Sequence, residues 1–190
     1  MKYIYLIRHG KTPGNEEKKY IGVTDESLSG RGREEILAKK YPKTDIIFSS
    51  PMKRCLETAS LIYPGSAVIV EEDFRETDFG EFEGKSYDEL KNDPSYLKWI
   101  ESGGTIAFPG GEDRKSVCVR VMKAFRKALT YIKDEETAVF IVHGGTIMTI
   151  ISELFNSDFY DHQVKNGMGY FFELSPDGDL GGPYLRSFDR

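Results

Sequence analysis

Short apolar segments that stop abruptly at histidine, serine or glycine, each followed by a stretch of helical periodicity, limit what this chain can fold into. Lys2 to Arg8 (KYIYLIR) is rich in β-branched and aromatic residues and is closed by Gly10, which predicts a buried strand. Asp45 to Ser49, Ala67 to Val70 and Ala138 to Val142 predict three more strands, and Tyr170 to Leu174 with Tyr184 to Phe188 a closing pair turned through Pro176-Asp177-Gly178. Between them, Ser29 is placed to cap a helix from about Arg31 to Lys40. Pro51 suits the first turn of a helix reaching about Tyr63, Glu112 to Lys133 carries the longest helical pattern, and Thr146 to Phe155 follows the most apolar strand. Strands alternating with helices mean an α/β fold: a three-layer α/β/α sandwich around a mostly parallel sheet. Glu71 to Lys85 reads as a loop, and the helical fragments after it, interrupted by Pro94 and closed by Gly103-Gly104, read as a small helical cap at about 77–112 in a single domain over 1–190.

Composition excludes several function classes. A formal net charge of −5 over 190 residues argues against a nucleic-acid partner, which requires a basic face. The first apolar run, Tyr3 to Ile7, is too short for a signal-peptide core, and the apolar stretch from Thr137 to Phe155 is interrupted by His143-Gly144-Gly145. No membrane association and a cytoplasmic location are therefore expected. The two cysteines, Cys55 and Cys118, show neither bridge nor metal spacing, and the three histidines are dispersed, so no metal and no cofactor is expected.

In open α/β sheets ligands sit beyond the carboxyl ends of the strands. There the chain places Arg8-His9-Gly10, Ser49-Ser50-Pro51 with Arg54 one turn on, Arg75-Glu76, and His143-Gly144-Gly145. Such a rim suits a phosphate monoester. Arginine grips phosphate oxygens through a planar fork, and a neutral histidine is a competent nucleophile near pH 7. The glycines let backbone approach a ligand. A carboxylic acid is needed to protonate the leaving oxygen; Glu76 is the candidate, with Asp78, Glu81 and Glu83 as rivals on the same loop. His162 has no partner in this pattern and reads as a surface residue, and Lys18-Lys19 and Lys39-Lys40 read as solvated charge. Two other chemistries are excluded by spacing. Gly80 to Ser86 has three residues between its glycines where a P-loop has four, and the positions six after the cysteines hold Leu61 and Ala124, where a cysteine phosphatase needs arginine.

These motifs, in this order, resemble the histidine phosphatase superfamily, which also contains the phosphoglycerate mutases. Leu6-Ile7-Arg8-His9-Gly10-Lys11-Thr12 with Asn15 resembles its signature. Tyr20-Ile21-Gly22, Ser49-Ser50-Pro51 with Arg54 and Thr58-Ala59, Glu76 with Phe79-Gly80, and Val142-His143-Gly144-Gly145 resemble the later motifs. The resemblance implies His9 as a phosphohistidine, Glu76 as proton donor, and Arg8, Arg54 and His143 as the phosphate pocket. Thr12, Asn15, Gly144 and the Gly22 backbone would lie beside the substrate. Two departures stand out: Lys11 occupies a position where glutamate is common, and Asn166-Gly167-Met168-Gly169 matches only loosely.

Within the superfamily, Thr77 follows Glu76 where mutases typically carry an arginine, and the chain has no Arg-Arg pair. The stretch from Gly84-Lys85-Ser86-Tyr87 through Trp99 to Pro109-Gly110-Gly111-Glu112 is similar to the α-ribazole phosphatases and related broad phosphatases. The resemblance thus implies hydrolysis of a small phosphorylated metabolite, with α-ribazole 5′-phosphate as one candidate. A phosphoglycerate mutase and a non-catalytic phosphate-binding module are the alternatives.

Overall fold

The computed structural model describes residues 1–189. Its elements run β1 (Lys2–Arg8), α1 (Pro13–Glu16), α2 (Gly30–Leu37), β2 (Ile46–Ser49), α3 (Lys53–Ile62), β3 (Ile69–Val70), α4 (Tyr87–Leu90), α5 (Pro94–Glu101), α6 (Arg114–Leu129), β4 (Thr137–Val142), α7 (Gly144–Phe155), β5 (Gly169–Leu174) and β6 (Leu180–Arg186). One sheet has the order β3-β2-β4-β1-β5-β6. The first four strands in that order pair in parallel, and β5 and β6 add on antiparallel.

β4 shows why the layers form. Successive strand residues face opposite sides of a sheet. Ala138, Phe140 and Val142 point into a core shared with Val121 and Phe125 of α6 and Ile147 and Ile150 of α7. Val139 and Ile141 point the other way, onto Cys55 and Ala59 of α3. A parallel strand covered on both faces must be apolar throughout, as TAVFIV is.

Helix ends follow local chemistry. Ser29 caps α2 by accepting from the Gly32 N–H at 2.9 Å, and Asp113 caps α6 by accepting from the Ser116 N–H at 2.7 Å. Pro51 lies outside α3, whose first amide, Lys53 N–H, donates to Asp25 Oδ1 at 2.8 Å, so a distant loop caps that helix. Pro94 opens α5 instead of breaking a helix, with Asp93 as its N-cap.

The stretch read as a loop over 71–85 holds two short 3-10 turns, Glu72–Phe74 and Gly80–Phe82. Beyond it, Phe82, Leu90, Tyr96, Trp99 and Phe108 build an aromatic core of their own beside the sheet, with Tyr20 and Phe79 packed against it. Tyr96 and Trp99 are buried there, whereas Tyr87 is exposed. The last strand is Leu180–Arg186, earlier than Tyr184 to Phe188; its Pro183 is tolerated because β6 is the sheet edge.

His162 corrects a further expectation. It is buried, its ring lies edge-on to Tyr170, and its Nε2 is 2.6 Å from Ser157 Oγ. The turn over Phe159–His162 folds it back under the end of α7, where an imidazole with one hydroxyl partner packs well. Among the described residues, no helix is long and apolar enough to cross a membrane.

Candidate active site

Strand register assembles the site. Arg8 pairs with Val142 and Ser49 with Ile141, so the next residues, His9, His143 and Ser50, emerge side by side beyond the strand ends. The His9 and His143 rings lie 5.1 Å apart between centroids. His9 lines a cavity of about 1040 Å³ together with Arg8, Asn15, Glu76, Gly144 and Gly145.

Hydrogen-bond partners set the histidine tautomers. His9 Nδ1 lies 2.7 Å from the Gly10 carbonyl, which can only accept, so Nδ1 carries the proton and Nε2 keeps its lone pair. His143 Nδ1 accepts from Arg54 Nε at 3.3 Å, so its Nε2 carries the proton and donates to Ser50 Oγ at 2.7 Å. Burial, then the Arg54 and Arg8 charges, push the pKa of His9 well below the usual 6.5, the Gly10 bond opposing. Burial, then Arg54, His9, Arg8 and Arg120, do the same for His143. Both rings are neutral at neutral pH. Cys55 Sγ sits 3.5 Å from His143 Nε2, but burial pushes this thiol up to about 12, so it is no nucleophile.

The arginines differ. Arg54 is wholly buried and faces inward: Nη1 donates to the Thr24 carbonyl and Nη2 to that of Gly22, each at 2.8 Å. It supplies charge behind His9 and does not line the cavity. Arg8 does line it; Nη1 donates to the Val164 carbonyl at 2.7 Å, while the buried Nε has no partner among the described residues. A buried N–H without a partner is costly.

Glu76 is buried at the mouth of α7. Its Oε1 accepts from the Thr77 N–H at 2.9 Å and its Oε2 from the Gly145 N–H at 3.2 Å. Its rivals are otherwise engaged. Asp78 Oδ1 accepts from the Gly80 N–H, Glu83 Oε1 accepts from the N–H groups of Gly22 and Thr24, and Glu81 does not line the cavity.

Besides Arg54, three sequence-derived positions stay off the cavity wall: His143, Thr12 and Gly22. Thr12 caps α1, accepting from the Asn15 N–H at 3.3 Å. The Gly22 N–H and carbonyl are taken by Glu83 and Arg54, and a Cβ there would lie 1.9 Å from the Thr77 carbonyl oxygen, so the glycine serves close packing. Lys11 does line the cavity, where it donates to Glu35 at 2.8 Å.

The family model of the histidine phosphatase superfamily, branch 1, matches residues 4–178. The chain belongs to that superfamily. It is 32% identical over 151 residues to phosphoserine phosphatase 1 of Hydrogenobacter thermophilus, covering 75% of this chain and 71% of that one. The phosphoserine phosphatase of Entamoeba histolytica, solved as a histidine-to-alanine variant with phosphoserine, superposes with a TM-score of 0.82 at 28% identity, over 100% of this chain and 97% of that chain. The α-ribazole phosphatase of Shigella flexneri gives a TM-score of 0.86 at 20% identity over 98% and 97% of the two chains, a likeness of fold. This member of the superfamily is a phosphatase.

Some groups around the site escaped the sequence reading. Asn166 Nδ2 donates to the His9 carbonyl and to Asn15 Oδ1, each at 3.1 Å, and Gly167 N–H donates to the Arg8 carbonyl at 3.0 Å. The loosely matching segment thus braces the exit of β1. Arg120, which carries no motif, is another, together with the contacts of Glu112.

Proposed function

We propose that this phosphatase hydrolyses phosphate monoesters of small metabolites through a phosphohistidine on His9. The lone pair on His9 Nε2, left free because Nδ1–H is held by Gly10, attacks phosphorus as the bond to the ester oxygen breaks. Glu76 gives its proton to that oxygen. Water then attacks the phosphohistidine, the Glu76 carboxylate takes the water's proton, and inorganic phosphate leaves with His9 neutral again. Arg8 Nε binds a phosphoryl oxygen; Arg54 and the neutral His143 hold the surrounding charge and shape.

One observation carries the reading: a histidine with a fixed tautomer stands in a cavity beside a guanidinium N–H that lacks a partner among the described residues. These arginine charges allow the reaction to run without a metal ion. Lys165, Arg114, Tyr20 and Tyr160 on the wall suit an anionic metabolite larger than its phosphate. Phosphoserine, glucosyl-3-phosphoglycerate and α-ribazole 5′-phosphate form the substrate panel, after the phosphatases that bear those names.

The test is hydrolysis of 4-nitrophenyl phosphate in EDTA by the wild type and by His9→Ala. Turnover should survive the chelator and vanish in the variant. A His9→Ala enzyme that keeps its turnover, or a wild type silenced by EDTA, overturns the mechanism.

A further inference from the structure

The residues around Glu76 have little regular structure of their own. The turn at Glu72–Phe74 precedes them, and the next regular element starts at Gly80. They are fastened from outside by Arg120, in the second turn of α6. Its Nη1 donates to the carbonyls of Asp73 at 2.9 Å and Arg75 at 2.8 Å, and its Nη2 to the carbonyl of Glu76 at 3.1 Å. Nε and Nη2 also fork onto the two oxygens of Glu112, each at 2.8 Å.

Glu112 reaches the far side of the same segment. Its Oε2 accepts from the Asp78 N–H at 3.0 Å, and its own N–H donates to the Asp78 carbonyl at 3.0 Å. The chain on both sides of Glu76 therefore leads back to one guanidinium–carboxylate pair. That pair is mostly shielded from water, with side-chain exposures of 11% and 21%, and lies off the cavity wall. Burial pushes the Glu112 carboxyl up, but the Arg120 and Asp78 hydrogen bonds and the Arg120 charge outweigh it and hold the group below its ordinary range.

We infer that Arg120, through its fork onto Glu112, is a positioning residue for proton donation: it sets where the Glu76 carboxyl stands relative to the leaving oxygen without touching the substrate. This rests on the reading of Glu76 as donor. The carboxyl itself is held only by two backbone N–H groups, so a shift of its own backbone moves it directly. A misplacement of about 1 Å can cost on the order of a hundredfold in rate. Lysine cannot replace the fork, because its ammonium is a point charge on a flexible stem.

The experiment measures kcat and KM for Arg120→Met, Arg120→Lys, Glu112→Gln and Glu76→Gln over substituted phenyl phosphates, from 4-nitrophenyl to unsubstituted phenyl. A good leaving group needs little protonation; unsubstituted phenol needs much more. Glu76→Gln should therefore lose far more kcat/KM, which ends at phosphoryl transfer to His9, on phenyl phosphate than on 4-nitrophenyl phosphate. Arg120→Met should follow the same steeper dependence, with kcat/KM on phenyl phosphate down roughly tenfold or more. Arg120→Lys should recover only part of it. Equal losses across the series in the Arg120 and Glu112 variants, with the Glu76→Gln dependence present, overturn the positioning role alone. A flat Glu76→Gln series overturns the donor reading and this inference with it. Should Arg120→Met fail to fold, Arg120→Lys and Glu112→Gln, which keep most of the side-chain volume, carry the same comparison.

Discussion

Gly145→Ala should separate activity from stability. A Cβ at Gly145 would lie 2.4 Å from Glu76 Oε1, 3.2 Å from Thr77 Oγ1 and 3.4 Å from Glu76 Cδ. No real Cβ contact is that short, so the carboxyl must move, and it can, because it is the free end of a side chain. The clashing oxygen, Oε1, also accepts from the Thr77 N–H at 2.9 Å, so the fold loses up to two hydrogen bonds, that one and the 3.2 Å bond from Gly145 N–H, at about 0.5–1.5 kcal/mol each. Against this, alanine is favoured over glycine in a helix by up to about 1 kcal/mol, less in the first turn of α7 where residue 145 stands. The helix gain offsets only part of this, so the urea melt should shift by no more than about 3 kcal/mol equivalent. Activity has no such compensation. General acid catalysis contributes roughly 10²–10⁴-fold, and a displaced donor should cost at least tenfold in kcat/KM on phenyl phosphate, with a smaller loss on 4-nitrophenyl phosphate. Gly30→Ala, at the exposed start of α2 with nothing within 4 Å of the new methyl, is the control and should change neither quantity. Wild-type kcat/KM on both esters in Gly145→Ala would refute the reasoning, because it would mean that the carboxyl's place at the α7 N-terminus does not matter to turnover.

Two further outcomes follow from the buried cations and histidines. Arg54→Met leaves the carbonyls of Thr24 and Gly22 and the Nδ1 of His143 without their donor. It should cost about 3 kcal/mol or more in urea melts, and a loss below about 1 kcal/mol contradicts the inward role. His9 and His143 have folded-state pKa values well below the unfolded 6.5, so below that pH the unfolded chain binds more protons. Stability is therefore complete above pH 6.5 and falls as the pH drops towards the folded values, by up to about 1.4 kcal/mol per pH unit for each histidine. Denaturation midpoints between pH 7 and 5 check this, and His143→Gln should flatten the slope. The same shift places the acid limb of kcat/KM, where His9 is protonated, well below pH 6.5; a limb at or above that value contradicts it.

Legibility in the sequence tracked how local each determinant is. The apolar strands and the residues that end them were readable because pleat, burial and strand termination act over a few neighbours. Parallel register then turned Arg8-His9, Ser49-Ser50 and Val142-His143 into one cluster without further information. What the pattern missed depends on partners far along the chain. Arg120 flanks the apolar stripe of α6, where periodicity assigns it to solvent; only the fold brings the carbonyls of Asp73, Arg75 and Glu76 beneath it. His162 read as surface because its partner, Ser157, lies across a turn that no periodicity announces. Gly22 read as a substrate contact, and the fold gives its two polar groups to Glu83 and Arg54. These cases share a cause: short-range patterns show which side chains reach the rim of the sheet, while the groups that fix their orientation come from other layers. Arg120 illustrates the consequence. On the proposed reading of Glu76 as donor, a residue with no motif, one helix away, governs the placement of a carboxyl whose motif was plain, and the proton-donating step would depend on α6 as much as on the loop that carries Glu76.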